Sequence, residues 1–223
     1  MDCIFQPLKN RYPGMLYIYM DDILIATPDD LNLHREIVHA VLDILEQESF
    51  FLKPSKCHFE QKSINYLGIR VEQGVICIDP TKRDGLADWP RTLHTVKQVR
   101  STLGVLGYQR PFIHDFAKLA KPLTSLLKKG VPFHWTEECT QALDRLLSIV
   151  ANDPVLHRPN YEKPFILEVD ASQYATGAIL YQENEQGRLC PVGYHSHTLN
   201  EAERGYDIHD RELLAVIRGL RHW

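Results

Sequence analysis

Residues 17–27, YIYMDDILIAT, set two adjacent aspartates between two short apolar runs rich in β-favouring side chains. Runs of four residues on either side of a charged pair fit a β-hairpin, with Asp21 and Asp22 at or beside the turn, where carboxylates stay in water. Paired acids on a tight turn also suit divalent-cation binding, because the hairpin projects them from a rigid base. Adjacent strand residues point to opposite faces, so one acid binds more directly than the other, and Asp21 is the expected principal ligand. Aspartate is equally an ordinary turn residue, and the pair alone leaves a purely structural role open.

A helix is predicted next, with Thr27 as N-cap, Pro28 at its first position, and Asp29 and Asp30 at the positive end of its dipole. Leu33, Ile37, Val41 and Leu45, with Val38 and Leu42, supply a wide apolar stripe at helical spacing. FFLKPSKCHF (50–59) reads as strand, turn, strand, and INYLGIRV with VICID as a hairpin around Glu72, Gln73 and Gly74. From Pro80 the texture turns helical. Thr95 and Gln98 fit a capping box, and Val99, Leu103 and Leu106 continue an apolar face. Pro111, Pro122 and Pro132 punctuate short helices, and Thr136 is expected to cap another that carries Leu143, Leu146, Leu147 and Val150. Three prolines within 152–164 mark a linker. FILEVDAS, TGAILYQE and LCPVGYHSHT then read as strands, with 184–187 turning the second into the third. RELLAVIRGLRHW reads as an amphipathic helix with Leu213, Val216, Ile217 and Leu220 facing inward. The textures divide the chain into 1–78, 79–151, a linker at 152–164, and 165–223.

At 223 residues and 44% hydrophobic, the chain can bury a core in one or two domains. No apolar run approaches the roughly 20 residues of a membrane span, and the first ten residues lack the basic lead and long apolar stretch of a secretory signal. Five scattered cysteines without a CxxC pair favour reduced thiols in an intracellular setting, cytoplasm or nucleus. The net charge of −4 conceals a division. Residues 79–135 hold ten Lys/Arg and four Asp, a net +6, which leaves −10 for the rest. Lys97, Arg100, Lys128 and Lys129, among others in that segment, can neutralise phosphates if they share a face; a solvated helical surface is the plainer reading.

YMDDILIA with its following helix, then LKPSKCHF, INYLGIRV and IDPTK, resembles the end of the palm of a reverse transcriptase, specifically that of Gypsy-class long-terminal-repeat retrotransposons. The resemblance runs on through LGVLGYQRPFIHDFAKLAKPLTSLLKK, FHWTEECTQAL and DPVL, the thumb and connection of that family. It then reaches FILEVDAS and YDIHDRELLAVI, where the family's ribonuclease H domain opens. It implies an α+β fold: a partial reverse-transcriptase palm, a helical thumb and connection, then a truncated ribonuclease H-like α/β domain. It also implies that Asp21 and Asp22 are the polymerase metal-binding pair, with Tyr19 and Met20 close to the primer end. Lys56 falls in the basic stretch of the next palm motif, and Leu67 and Gly68 in the hairpin that grips the primer. Asp170 on a strand and Glu212 on a helix match two of the acids that hold paired metal ions against the RNA strand of a hybrid.

The implied cofactor is Mg2+. The implied partners are an RNA template, a DNA primer, an RNA–DNA hybrid, dNTPs and the remainder of the polyprotein. Both metal sites are expected to be incomplete. The family's palm has a third aspartate well upstream, where only Asp2 precedes Asp21, and its ribonuclease H has further aspartates on a later strand and helix. Asp207 and Asp210 do not occupy those positions; His195 and His197 read as sheet-surface residues, and His209 as a helix-start residue. The expected function is part of an enzyme that copies RNA into DNA and degrades RNA in hybrids, inactive by itself. A catalytically silent nucleic-acid-binding remnant is the alternative.

Overall fold

Proline lacks an N–H, so it suits the first turn of a helix, and helix α1 (Gln6–Arg11) begins around Pro7. The computed structural model describes residues 2–223. It joins α1 to hairpin β1 (Leu16–Tyr19) and β2 (Asp22–Ile25), helix α2 (Leu31–Gln47) and strand β3 (Ile64–Tyr66), in a unit that ends at Tyr66. Strand alternation turns Leu16 and Ile18 toward the core and leaves Tyr17 and Tyr19 outside. Ile37, Val41 and Leu45 are buried against Phe5, Leu8, Tyr12 and Leu16, so the stripe read from helical spacing is the stripe that packs. Fully burying a side chain of this kind contributes about 1.5–3 kcal/mol.

Two expectations for this unit are corrected. Helix α2 starts at Leu31, because the Asp30 carboxylate accepts from the Asn32 and Leu33 N–H groups at 3.0 and 3.1 Å. The Thr27 hydroxyl, expected as the cap, instead meets His34 Nδ1 at 3.1 Å. The stretch 50–59 forms no strands. Pro54 opens a 3-10 turn, Pro54–Lys56, which holds itself through Lys56 N–H to the Lys53 carbonyl and leaves Phe51 98% exposed.

The second unit runs from Leu67 to Trp223. Its elements are β4 (Ile69–Glu72), β5 (Val75–Ile78), helices α3 (Pro80–Asp84), α4 (Val96–Tyr108), α5 (Phe116–Leu119), α6 (Lys121–Ser125) and α7 (Glu137–Ala151), then β6 (Val155–His157). Strand β5 pairs antiparallel with both β4 and β6, and β6 lies inside the proline-rich 152–164 stretch. Val99, Leu106, Leu123, Leu143, Leu146 and Val150 are fully buried in one core. Thr95 caps α4 by accepting from Gln98 N–H, but the returning Gln98 side chain accepts from His94 N–H rather than from Thr95, so the expected box is displaced by one residue. Thr136 occupies the N-cap position of α7 with its hydroxyl directed at Cys139 Sγ instead of the helix backbone.

The chain then forms the antiparallel sheet β7 (Ile166–Ala171), β8 (Ala175–Glu183) and β9 (Leu189–Thr198), followed by α8 (Glu201–Arg204) and α9 (Ile208–His222). One sheet face carries Leu167, Val169, Ala178 and His195 and receives α9. The other carries Asp170, Gly177 and Ser196 and receives α5, where Ser196 Oγ accepts from Ala117 N–H at 3.0 Å.

The inward face of α9 also differs from expectation. Ala215 and Gly219 are buried, whereas Leu213 and Leu220 are 57% and 66% exposed and Ile217 lies at the exposed edge. A Cβ on Gly219 would stand 3.1 Å from Leu167 Cδ2, so the missing side chain lets the helix sit against the sheet. Arg218 is on the inner side as well, held by Glu203 at 2.8 Å and the Thr176 hydroxyl at 3.4 Å. Close backbone approach selected the small residues, and of the expected stripe only Val216 is partly buried.

Candidate carboxylate sites and nucleic-acid interface

In the first hairpin Tyr19 pairs with Asp22, which leaves Met20 and Asp21 as a two-residue turn. Met20 adopts φ +53°, in the left-handed region that favours glycine, and its side chain is 73% exposed. Asp21 therefore stands at the tip, and Asp22 shares the outward face with Tyr19; both acids are exposed. Tyr66 lies near Asp22. Burial, with the Asp22 carboxylate second, pushes its hydroxyl above the ordinary tyrosine range. Nothing in the sequence signals that neighbour, which is 44 residues further along the chain.

Among the described residues no group of three or more His, Cys, Asp or Glu side chains could hold a metal ion. Two exposed carboxylates on one turn are thus an incomplete donor set for a two-metal centre. Lys56 ends the exposed Pro54–Lys56 turn.

Leu67 and Gly68 form a tight turn with φ +48° and +74°. The Tyr108 hydroxyl at the end of α4 donates to the Leu67 carbonyl. Beside this contact, α3 and α4 enclose an open groove of about 480 Å3, with Lys82 and Gly85 on one wall and Ser101, Gly104, Val105 and Tyr108 on the other. Lys97 and Arg100 are exposed on the same α4 helix, and Lys128 and Lys129 on the turn after α6, a helix packed beside α4. Among the described residues none of these four cations pairs with a carboxylate, in contrast to Arg83 with Asp84 and Asp153, and Arg91 with Asp144.

Asp170 is exposed near the end of β7, opposite Gly177 and on the sheet face away from α9; the Asp115 carboxylate lies against that same glycine. Glu212 is exposed in the first half of α9. Asp207 caps α9 by accepting from Asp210 N–H at 2.9 Å, and His209 sits in the helix's first turn. His197 is exposed, but His195 is half-buried under α9, stacked on His222 at 4.0 Å with Trp223 edge-on at 6.2 Å.

Burial, then the neighbouring His222, Arg110, His197 and Arg218, lowers the His195 pKa from 6.5 to about 4. The folded state therefore resists a proton that the unfolded chain accepts. Stability from this site is present above pH 6.5 and is lost as pH falls toward 4. His195→Phe keeps a ring against His222 and is expected to remove part of the fall in melting temperature between pH 6.5 and 4.5; an unchanged acid limb would contradict this.

The hairpin acids lie in one of two stretches of this chain that match family models, and the three-stranded sheet with its following helix lies in the other. Residues 1–71 match the family model of reverse transcriptase (RNA-dependent DNA polymerase), and residues 135–223 that of the RNase H-like domain found in reverse transcriptase. The chain belongs to the reverse transcriptase lineage of retrotransposon polyproteins. Over 205 residues it is 34% identical to the Tf2-3 and Tf2-4 transposon polyproteins of Schizosaccharomyces pombe (strain 972 / ATCC 24843). The alignment takes in 92% of this chain and 15% of each polyprotein, so the chain spans about a seventh of the length of these curated relatives.

Gypsy-class membership is consistent with these relatives. The fold is similar to that of the foamy viral protease-reverse transcriptase, solved with an RNA/DNA hybrid (TM-score 0.81, 24% identity, 97% of this chain and 29% of that one). It is likewise similar to the same enzyme solved with dsDNA (TM-score 0.77, 22% identity, 98% and 46%). Both family models describe proteins that typically use divalent metals. No helix among the described residues is long and apolar enough to cross a membrane.

Proposed function

We propose that this chain is the part of an RNA-directed DNA polymerase and ribonuclease H that holds the primer–template duplex and lends two carboxylates to each of two magnesium sites. Asp21 and Asp22 serve the polymerase site, with Tyr19 and Met20 beside the primer end and Lys56 nearby in the palm. Leu67 and Gly68 grip the primer; Asp170 and Glu212 are assigned to the ribonuclease H site by the family resemblance, although Asp170 lies on the sheet face away from α9 and Glu212 on α9 itself. Once the missing carboxylates are supplied, these acids would help hold magnesium, which would supply activation of an attacking oxygen and stabilisation of the leaving one. The remaining carboxylates and the dNTP-binding residues belong to the rest of the polyprotein. The foamy viral enzyme's complexes with RNA/DNA hybrid and dsDNA support nucleic acid as the partner of this chain as well.

The observation that carries the proposal is the set of uncompensated cations, Lys97, Arg100, Lys128 and Lys129, on and beside the helix that walls the open groove. Each phosphate contact contributes nearly one unit to the slope of log affinity against log salt. Replacing all four cations with Gln is expected to weaken RNA–DNA hybrid binding and to flatten that slope by about 3 to 4 units. Fluorescence anisotropy of a labelled hybrid across a salt series provides the measurement. An unchanged affinity and slope would remove this face from the proposal.

A further inference from the structure

Both carbonyls of the turn made by Leu67 and Gly68 are caught by the two walls of the groove. The Gly68 carbonyl accepts from Asp79 N–H at 3.4 Å, and Asp79 itself caps α3 by accepting from Thr81 N–H at 2.9 Å. The Leu67 carbonyl accepts from the Tyr108 hydroxyl at the end of α4. Lys82, on α3, completes the cluster with its ammonium 5.5 Å from the centre of the Tyr108 ring.

Residue 68 has no room for a side chain. A Cβ there would stand 2.9 Å from Lys82 Cε, 3.0 Å from Tyr108 Cε1 and 3.2 Å from its hydroxyl. Leu67 meanwhile sits in the left-handed region, which a leucine keeps only where its surroundings over-determine it. Lys82 and Tyr108 also line the groove. The same two side chains therefore touch the turn and form the surface on which a duplex would lie.

We infer that Tyr108 and Lys82 are positioning residues that lock the turn at Leu67 and Gly68 to the α3–α4 groove, so that turn and groove take hold of one nucleic-acid duplex as a single rigid unit. The inference rests on the nucleic-acid reading above. It assigns Tyr108 a role through its hydroxyl, distinct from any stacking by its ring. Lys82 acts from the side of the turn, and its exposed ammonium remains available to a phosphate.

Tyr108→Phe deletes the donor and keeps the ring; Tyr108 is 52% exposed, so the core is spared. In the full 223-residue chain, amide hydrogen exchange at Leu67, Gly68 and Ile69 is expected to speed up by about threefold to tenfold, the factor that one net hydrogen bond supplies. Exchange in α7 should not change. Affinity for a blunt RNA–DNA hybrid should fall by a similar factor with its salt slope intact, since no phosphate contact is lost. Lys82→Met should loosen the same amides and reduce the slope by about 1, and Lys82→Arg should restore both.

Unchanged exchange at the turn in Tyr108→Phe would overturn the inference. So would faster exchange with unaltered affinity. A wild-type chain with no affinity for hybrid would instead overturn the function proposed above, while the exchange data would still decide whether Tyr108 locks the turn.

Discussion

The isolated 223-residue chain is expected to give no magnesium-dependent primer extension on an RNA template, even after prolonged incubation. The reason is the count and placement of carboxylates. Asp21 and Asp22 are consecutive residues, one at a hairpin tip and one on the outward strand face, and no described group of three candidate ligands exists for a metal ion. Two-metal phosphoryl transfer needs both ions held at once, one at the attacking oxygen and one at the leaving oxygen. Without that pair the rate enhancement, at least about 10⁶-fold for typical enzymes, is forfeited. A fluorescent-primer extension assay tests this directly. Extension that Asp21→Asn abolishes would show that another acid of this chain completes the site, and would overturn the expectation. A longer open reading frame that supplies the other carboxylates would favour the enzyme; stop codons beside the present chain would favour a silent binding remnant.

Leu143→Ala in α7 is expected to destabilise the second unit by about 2–5 kcal/mol, whereas Leu213→Ala and Leu220→Ala in α9 should each cost under about 0.5 kcal/mol. Leu143 is fully buried in the core with Leu146, Val150, Leu106 and Leu123, so its truncation leaves a cavity as well as lost transfer energy. Leu213 and Leu220 are more than half exposed and leave no cavity. Urea denaturation followed by circular dichroism should show a midpoint for Leu143→Ala lower by about 1–2 M, with the two α9 variants near the parent. Comparable losses in all three would mean that α9 packs through its leucines and that the inward face built on Ala215 and Gly219 is wrong.

Much of the local structure was legible, for reasons particular to each element. The hairpin at 16–25 follows from apolar alternation interrupted by two acids that cannot be buried. The buried line Ile37, Val41 and Leu45 follows from helical spacing, and that of Leu143, Leu146, Leu147 and Val150 from the same rule. The start of α2 is not legible in the sequence because Thr27, Asp29 and Asp30 are all residue types that can cap a helix, and the hydrogen bond between Thr27 and His34 leaves the task to Asp30. The stretch 50–59 has strand-like composition but no partner strand, and a proline in its middle set a 3-10 turn instead.

The arrangement around the candidate sites was less legible, because it joins residues far apart in the chain. Tyr66 comes near Asp22, Tyr108 reaches the carbonyl of Leu67 across 41 residues, and Asp115 lies against the glycine opposite Asp170. The sequence by itself determined which side chains can titrate, ligate or carry charge, and where a chain must turn, since those depend on residue type and near neighbours. Only the tertiary structure decided which face of α9 meets the sheet, which cations stay unpaired and which carbonyls of the turn at Leu67 and Gly68 are caught. Those outcomes depend on how closely two backbones can approach, and that distance is fixed by the side chains on both surfaces together.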